Sequence, residues 1–395
     1  MIKNADKIQT PALLLDLDIL EKNLDRFQKL ADREGKELWP MIKTHKSTHI
    51  ARMQIERGAK GFLCGTLDEC ETLADKIGGG ISIMYAYPVA SEPNIERAIK
   101  LAKRKDCNFF LRIDSHRQAK LLYEAMGGSD TQMNYIIIIN SGLNRFGIEP
   151  HEAGDFIERL WWDKEMPDFA KSLVFKGIST HPGHIYSAGR NDTASDVSDL
   201  ANKAADKMKE AAKALGKIKP DIISTGSTPT FAADAGHPAF NILHPGNYVF
   251  NDCIQMNLHC AKEEDCALTV YATVISASAD GKQLIIDAGS KVFGDQGVHG
   301  GGSNGSGKYG RIKNYPNLDL HSLSEEVGRI RVNPCGNKSV PPKIGDKIEI
   351  IPNHSCSTAY MADSYICVRK DGDSKIIDDS YPIIPLDMKN RHYVK

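Results

Sequence analysis

Ala12-Leu13-Leu14-Leu15 is followed by a segment in which Leu20, Leu24, Phe27, Leu30 and Ala31 recur at helical spacing, and then by Leu38-Trp39-Pro40-Met41-Ile42. The short runs suit strands, and the longer segment presents one apolar stripe. Asp18 with Glu21 three residues on makes a capping box, and Gly35 closes the segment as a C-terminal cap does. The stretch therefore reads strand, helix, strand. The alternation repeats outward from it. Further apolar runs lie at Gly61–Cys64, Ile81–Tyr85, Phe109–Ile113, Tyr135–Ile139, Leu173–Ile178 and Ile222–Ser224. Amphipathic segments separate them at Asp68–Ile77, Asn94–Lys105, His116–Met126, Glu152–Trp161 and Asp196–Leu215. Apolar runs without polar alternation are expected of strands buried on both faces. About eight strand–helix units in about 240 residues predict a closed parallel (β/α)8 barrel of the TIM type over residues 11–250. An open doubly wound sheet would carry a Gly-x-Gly-x-x-Gly turn after its first strand, and none follows Leu15.

Past Asp252 the texture changes. Leu268–Ser276, Gln283–Ala288, Lys347–Ile351 and Tyr365–Arg369 read as strands with no helix-length pattern between them. This predicts a mostly-β domain over residues 251–395, with residues 1–10 packing against it. Gly294–Gly310, which contains Gly300-Gly301-Gly302-Ser303-Asn304-Gly305, reads as a mobile surface insertion, with a lid over the active site as the alternative. A length of 395 residues suits one large domain and one smaller one. With 41% hydrophobic and 26% charged residues the chain is globular, not disordered. Fifty basic side chains against 51 acidic ones argue against a nucleic-acid partner. A mean hydropathy of −0.35, with no apolar run of membrane length, argues against a membrane partner. Met1–Lys7 has no apolar core of signal-peptide length, and the nine cysteines are odd in number and scattered. The expected compartment is the cytoplasm, with free thiols that mostly pack.

Five constellations carry chemistry. Trp39-Pro40-Met41-Ile42-Lys43-Thr44-His45-Lys46 puts Lys43 near the end of the second strand, where this fold keeps catalytic groups. A lysine held against apolar neighbours loses its proton more easily and can form an imine. Lysine is common at surfaces, so it is position that marks Lys43. Ser224-Thr225-Gly226-Ser227-Thr228-Pro229-Thr230 and His244-Pro245-Gly246-Asn247-Tyr248 are late turns able to form an anion cup from N–H groups and hydroxyls. Each alone is an ordinary turn. A lysine at strand two with a cup at strands seven and eight is the layout a phosphate-bearing aldehyde cofactor needs. Pro352-Asn353-His354-Ser355-Cys356 follows an apolar strand, and in extended backbone His354 and Cys356 share a side. Imidazole and thiolate suit zinc, with positions left open for water or substrate; a buried cysteine beside a hydrogen-bonded histidine is the plainer reading. Thr180-His181-Pro182-Gly183-His184-Ile185-Tyr186 brings three rings to the mouth, able to stack on an aromatic ligand. Asn144-Arg145-Phe146-Gly147 offers either a cation for an ionised phenolic oxygen or a surface arginine.

With Thr10-Pro11-Ala12 at the start, these motifs in this order resemble the fold-type III pyridoxal-phosphate enzymes. More narrowly, they resemble the D-serine dehydratase and D-threonine aldolase family. They span nearly the whole chain. In that family the dehydratase branch carries His and Cys as zinc ligands, and the aldolase branch has Asp where Cys356 stands. The resemblance implies an α/β chain of alanine-racemase-like fold, with an N-terminal barrel and a C-terminal mostly-β domain. It implies that Lys43 holds pyridoxal 5′-phosphate covalently, Arg145 meets the phenolic oxygen, His181 lies near the pyridine nitrogen and Tyr186 near cofactor or substrate. Gly226, Ser227, Thr228, Gly246 and Asn247 would hold the phosphate, with Tyr248 adjacent. His354 and Cys356 would hold Zn2+ or another divalent cation. The implied activity is a lyase reaction, β-elimination from a D-β-hydroxy amino acid, D-serine first, to pyruvate and ammonia, in a homodimer. Lys43 would remove the Cα proton and the cation would draw off the hydroxyl. Retro-aldol cleavage to glycine and an aldehyde, with His184 as base, is the alternative; an amino-acid racemase is another. A non-catalytic cofactor-binding protein would be barrel-only, unlike this chain. Asn140, where the family often has an acid, and the stretch His181–His184 depart from the family pattern and bear on the choice of substrate.

Overall fold

The computed structural model describes residues 2–3, 7–127, 131–190, 194–294, 309–333 and 340–389. Most of the glycine-rich segment lies outside them. Eight parallel strands form one sheet: β2 (Glu37–Leu38), β3 (Gly61–Cys64), β4 (Ile81–Tyr85), β5 (Cys107–Ile113), β6 (Met133–Ile138), β7 (Leu173–Ser179), β8 (Ile222–Thr225) and β9 (Ile242–Leu243). Their order is sequential, with β2 beside β9. The ring closes where Lys60 N donates to Leu38 O (3.0 Å) and Leu63 N to Pro40 O (2.9 Å). Helices between the strands include α2 (Thr48–Glu56), α3 (Leu67–Lys76), α4 (Glu92–Ala102), α5 (His116–Met126), α6 (Ala153–Trp161), α7 (Phe169–Ser172), α8 (Ala194–Ala214) and α9 (Phe231–Gly236). Trp39, Leu63, Met84, Phe110, Ile136, Ile222 and Ile242 fill the lumen as a plug. Their neighbours Phe62, Phe109, Leu111, Tyr135 and Ile137 point outward to the helices. Both faces are buried, which is why the strands read as unbroken apolar runs.

One strand is elsewhere. β1 (Ala12–Asp16), assigned by the alternation to the barrel's first position, pairs antiparallel with β10 (Leu268–Ala277) and parallel with β16 (Ser364–Asp371). The barrel's eighth strand is instead β9, whose two residues are too short to register as a pattern. Lys43 thus follows the first barrel strand, not the second. Asp16 caps α1 (Leu17–Arg33) by accepting from Ile19 N at 3.1 Å. Asp18, expected in that role, pairs with Arg369 of β16 (2.9 Å).

The second sheet has ten strands, β1 included. Its core order is β13 (Leu318–Leu323), β14 (Gly328–Val332), β11 (Gln283–Ile286), β10, β1, β16 and β17 (Ser374–Ile377). β15 (Lys347–Pro352) joins β10 to β12 (Gly310–Ile312), and β18 (Ile383–Pro385) pairs with β16. α10 (Cys253–Asn257), α11 (Ser290–Phe293) and α12 (Ser355–Met361) are short. In the N-terminal segment, Ile2 bridges to Lys375, and Ile8 packs on Leu14, Tyr271 and Val368. The eight described cysteines are unpaired, and no described helix is long and apolar enough to cross a membrane. Leu15 of β1 is fully buried where α1 and both sheets meet. Leu15→Ala is expected to cost about 2–5 kcal/mol, the range for a cavity in a packed core. Urea unfolding checks this; a loss well under 1 kcal/mol would contradict the place given to β1.

Candidate active site

The chain leaves β2 through Trp39-Pro40, and Met41 N donates to Pro245 O (3.0 Å), tying this exit to the turn after β9. A 3₁₀ turn over Ile42–Thr44 follows and carries Lys43. The lysine stem lies across Gly65, where a Cβ would come 3.1 Å from Lys43 Cβ. Gly65 N donates to Glu69 Oε2 (2.5 Å), and Glu69 also pairs with Lys46. No described carboxylate pairs with Lys43.

Lys43 borders a cavity of about 400 Å³ at the C-terminal mouth of the barrel. Arg145, His181, Tyr186, Gly226, Ser227, Gly246, Asn247, His354 and Cys356 border it too. Among the described residues, the N–H groups of Gly226, Ser227, Gly246 and Asn247 donate to no protein acceptor. Unpaired donors on two adjoining turns are what a phosphate group needs. A Cβ on Gly226 would sit 2.4 Å from His244 O, so only glycine fits that turn.

Two histidines line the wall and floor. His181 Nδ1 lies 2.5 Å from Gly226 O, and His244 Nδ1 lies 2.8 Å from Trp39 O. Burial, with Lys43, Arg145 and Arg112 nearby, brings the pKa of His181 down to about 3. Burial, with Arg112 nearby, brings His244 to about 3 as well. Both rings are therefore neutral, each donating from Nδ1 to a carbonyl and keeping Nε2 as an acceptor. Arg112 of β5 is 2% exposed and lines the same cavity. It contacts Met84 Sδ (3.3 Å) and Ser179 Oγ (2.5 Å), with no described carboxylate, and burial pulls its pKa to about 9. The Arg145 guanidinium lies over Phe146 (4.4 Å) and Tyr87 (5.6 Å). Its loop is shaped by Asn140, whose Oδ1 accepts from Gly142 N (3.2 Å) and Asn144 N (3.1 Å). Burial, with the negative charges of Cys356 and Asp252, keeps the Tyr186 phenol protonated.

On the opposite wall, His354 is the N-cap of α12 and Cys356 lies in its first turn. From Ser355 onward the backbone is helical, so the alternation argument fails, but the two side chains still converge. Burial opposes charging His354, yet the Cys356 thiolate and Asp252 carboxylate win and raise its pKa to about 10. Burial likewise opposes the Cys356 thiolate, and the His354 charge outweighs it. Thr44 Oγ1 lies 3.2 Å from Cys356 Sγ. Asp252 Oδ2 lies 3.3 Å from His354 Nδ1, which orients the ring in the way a carboxylate orients a metal-bound histidine. A thiolate and an oriented imidazole suit a zinc ion. Among the described residues no third His, Cys, Asp or Glu completes the set.

Three expected site residues lie off the cavity. His184 packs on Gly142, where a Cβ would come 3.2 Å from its Cε1. Thr228 Oγ1 accepts from Tyr248 N (3.1 Å), which locks the two cup turns together. The Tyr248 ring stacks on Phe27 (4.4 Å) and its hydroxyl accepts from Gln54 Nε2 (2.9 Å), so it is a core residue. Asn247 turns its amide to Asp252 Oδ2 (2.5 Å) and Ser355 Oγ (3.2 Å), leaving its backbone N–H for the cup. Sequence reading missed Arg112, His244 and Asp252. Arg112 could have been found two residues after the lumen-facing Phe110.

A lysine and an anion cup at the mouth of an eight-stranded parallel barrel, backed by a β domain, define an enzyme of alanine-racemase-like fold. Residues 15–252 match the family "Alanine racemase, N-terminal domain", and residues 267–368 match "Putative serine dehydratase domain". The chain belongs to the D-serine dehydratase/D-threonine aldolase family of fold-type III enzymes. It is similar to D-serine dehydratase of Dictyostelium discoideum, 29% identical, covering 95% of this chain and 97% of that one. The structure is similar to D-threonine aldolase of Filomicrobium marinum: TM-score 0.79, 27% identity, 96% and 95% of the chains covered. It is also similar to a metal-free form of D-threo-3-hydroxyaspartate dehydratase: TM-score 0.81, 25% identity, 96% and 97% covered.

Asp252→Asn replaces the carboxylate that orients His354 with an uncharged amide. The expected outcome is a loss of zinc affinity of about 10–100-fold, read by competition with a chromogenic chelator. Unchanged affinity would remove Asp252 from the role given to it.

Proposed function

We propose that this protein is a pyridoxal-phosphate- and zinc-dependent lyase that converts a D-β-hydroxy amino acid, D-serine first, to a keto acid and ammonia. The observation that carries the reading is that Lys43, the unpaired N–H groups of the cup and the His354–Cys356 pair border one cavity. Gly226, Ser227, Gly246 and Asn247 would hold the phosphate through their N–H groups, and Arg145 would meet the phenolic oxygen. His181, neutral and fixed on Gly226 O, would stand beside the ring, with Tyr186 near cofactor or substrate. The cofactor, when bound, supplies a sink for the electrons left at Cα. Lys43 would hold the cofactor through Nζ and, with that nitrogen free, would be the base that takes the Cα proton. His354 and Cys356 would hold a zinc ion, whose chemistry there would be Lewis acidity toward the departing hydroxyl.

Dehydration is favoured over retro-aldol cleavage by two observations. Cys356 stands where the resemblance places Asp in the aldolases. His184, the expected base for the aldol route, packs on Gly142 away from the cavity lining. The neighbouring family reading on 3-hydroxyaspartate keeps the same chemistry with a larger side chain. A homodimer in the cytoplasm remains part of the proposal.

The test is a D-amino-acid panel with keto acid, glycine and aldehyde measured in parallel. D-serine is expected to yield pyruvate and ammonia. Lys43→Ala should abolish the absorbance of the lysine-bound cofactor with the circular dichroism spectrum intact. A chelator should cut turnover about a hundredfold or more while leaving that absorbance in place, because the cation acts on the leaving group. Glycine plus an aldehyde, without keto acid, would assign the aldolase reaction instead. Full turnover in chelator would remove the metal from the scheme.

A further inference from the structure

Behind the cup lies a buried chain of three hydroxyl and carboxyl groups that the reaction above does not use. Ser227 borders the cavity and is 3% exposed. Its Oγ is 2.9 Å from Thr230 Oγ1, and Thr230 is fully buried. Thr230 Oγ1 is in turn 2.5 Å from Asp234 Oδ2 and 3.4 Å from Ser227 O. Asp234, on α9, is 3% exposed and has no described cation within ion-pair distance.

The elements packed around α9 bring few charges to bear. Phe27 of α1 faces it as a ring, stacked on Phe231 at 4.3 Å and, beyond it, on Tyr248. Lys36 spends its ammonium on His237 O (3.2 Å) and Phe240 O (2.7 Å). Lys209 and Asp206 of α8 act on His237, and none of these charges acts on Asp234. Burial of this lone carboxyl pushes its pKa up to about 7, with the Thr230 hydrogen bond opposing. Asp234 therefore changes charge near neutrality, unlike an ordinary aspartate.

Hydrogen counting gives the chain two polarities. A carboxylate is acceptor-only and a hydroxyl carries one hydrogen. With Asp234 ionised, Thr230 must donate to it, and Ser227 then donates to Thr230. The Ser227 hydrogen is used up inside the protein, and the serine turns lone pairs toward the cavity. With Asp234 protonated, its O–H donates to Thr230, and Thr230 donates back to Ser227 O. The Ser227 hydrogen is then free to meet a guest. An anion in the cup needs the second arrangement and is repelled by the first.

We propose that Asp234 is a positioning residue whose protonation sets the direction of the Ser227 hydroxyl, so that anion binding in the cup takes up one proton at Asp234. The proposal rests on the reading of the two turns as an anion cup. It makes the hold on the cofactor's phosphate weaken as pH rises through neutrality, through a group that never touches the phosphate.

The experiment titrates the full-length chain, resolved of cofactor, with inorganic phosphate and separately with pyridoxal 5′-phosphate. Calorimetry in buffers of different ionisation enthalpy counts the protons taken up. The wild type should take up about one more proton per phosphate at pH 8.5 than Asp234→Asn, whose amide donates to Thr230 at every pH. Its phosphate affinity should fall by about tenfold per pH unit above neutrality relative to that variant. Thr230→Val, nearly isosteric, should erase the same difference, because it cuts the chain between the carboxyl and Ser227. Equal proton uptake in wild type and both folded variants would overturn the proposal, as would failure of inorganic phosphate to bind between pH 6 and 9. Linkage seen with inorganic phosphate but no imine absorbance with pyridoxal 5′-phosphate would leave the relay standing and sink the functional reading. Imine absorbance without linkage would do the reverse.

Discussion

The Asp252 carboxylate joins the two halves of the site. It is fully buried and accepts from four donors on three segments. Oδ1 takes Gln255 N at 3.0 Å, capping α10. Oδ2 takes Ser355 N (2.9 Å), His354 Nδ1 (3.3 Å) and Asn247 Nδ2 (2.5 Å). Hydrogen bonds to an ionised acceptor are among the strongest a protein makes. Asn247 belongs to the cup and His354 to the β domain, so one side chain sets the distance between anion site and cation site. A shift of an ångström between them would misplace a substrate anchored at both ends.

The charges lining the cavity are mostly of one sign. Lys43, Arg112 and Arg145 border it, no Asp or Glu among the described residues does, and His181 and His244 are held neutral. A buried guanidinium without a carboxylate is costly, which the lowered pKa of Arg112 records. Neutral histidines limit the repulsion among these cations while still offering acceptor nitrogens. The cationic floor and the open N–H groups of the cup therefore favour the same kind of guest. The thiolate of Cys356 supplies the opposite sign on the far wall, where a cation is wanted.

The barrel was legible because its strands are buried on both faces and its helices on one, and these two patterns do not resemble each other. The pattern misplaced β1 because Ala12–Leu15 is just as apolar between two β-domain strands as it would be inside a barrel. It missed β9 because two residues have no period. The short motifs that carry Lys43, Arg145, His181, Gly226 and Gly246 border one cavity, and the backbone conformation of each is local. Arg112, His244 and Asp252 were not legible, since each owes its meaning to atoms far away in sequence: Ser179, Trp39 and His354 respectively. His354 and Cys356 were paired by an argument from extended backbone that the helix at Ser355–Met361 replaces. A helical first turn brought them together all the same.

The placement of β1 makes the linear boundary near residue 250 a poor place to cut. A fragment ending there would keep Leu13, Leu14 and Leu15 but lose both strands that flank them. The stranded segment would present bare backbone donors and acceptors beside an apolar face, the features that drive edge-to-edge association. The unit that folds is a polypeptide threaded out of one layer and into the other, and the ribosome must reach β10 before β1 has a neighbour and β16 before it has both.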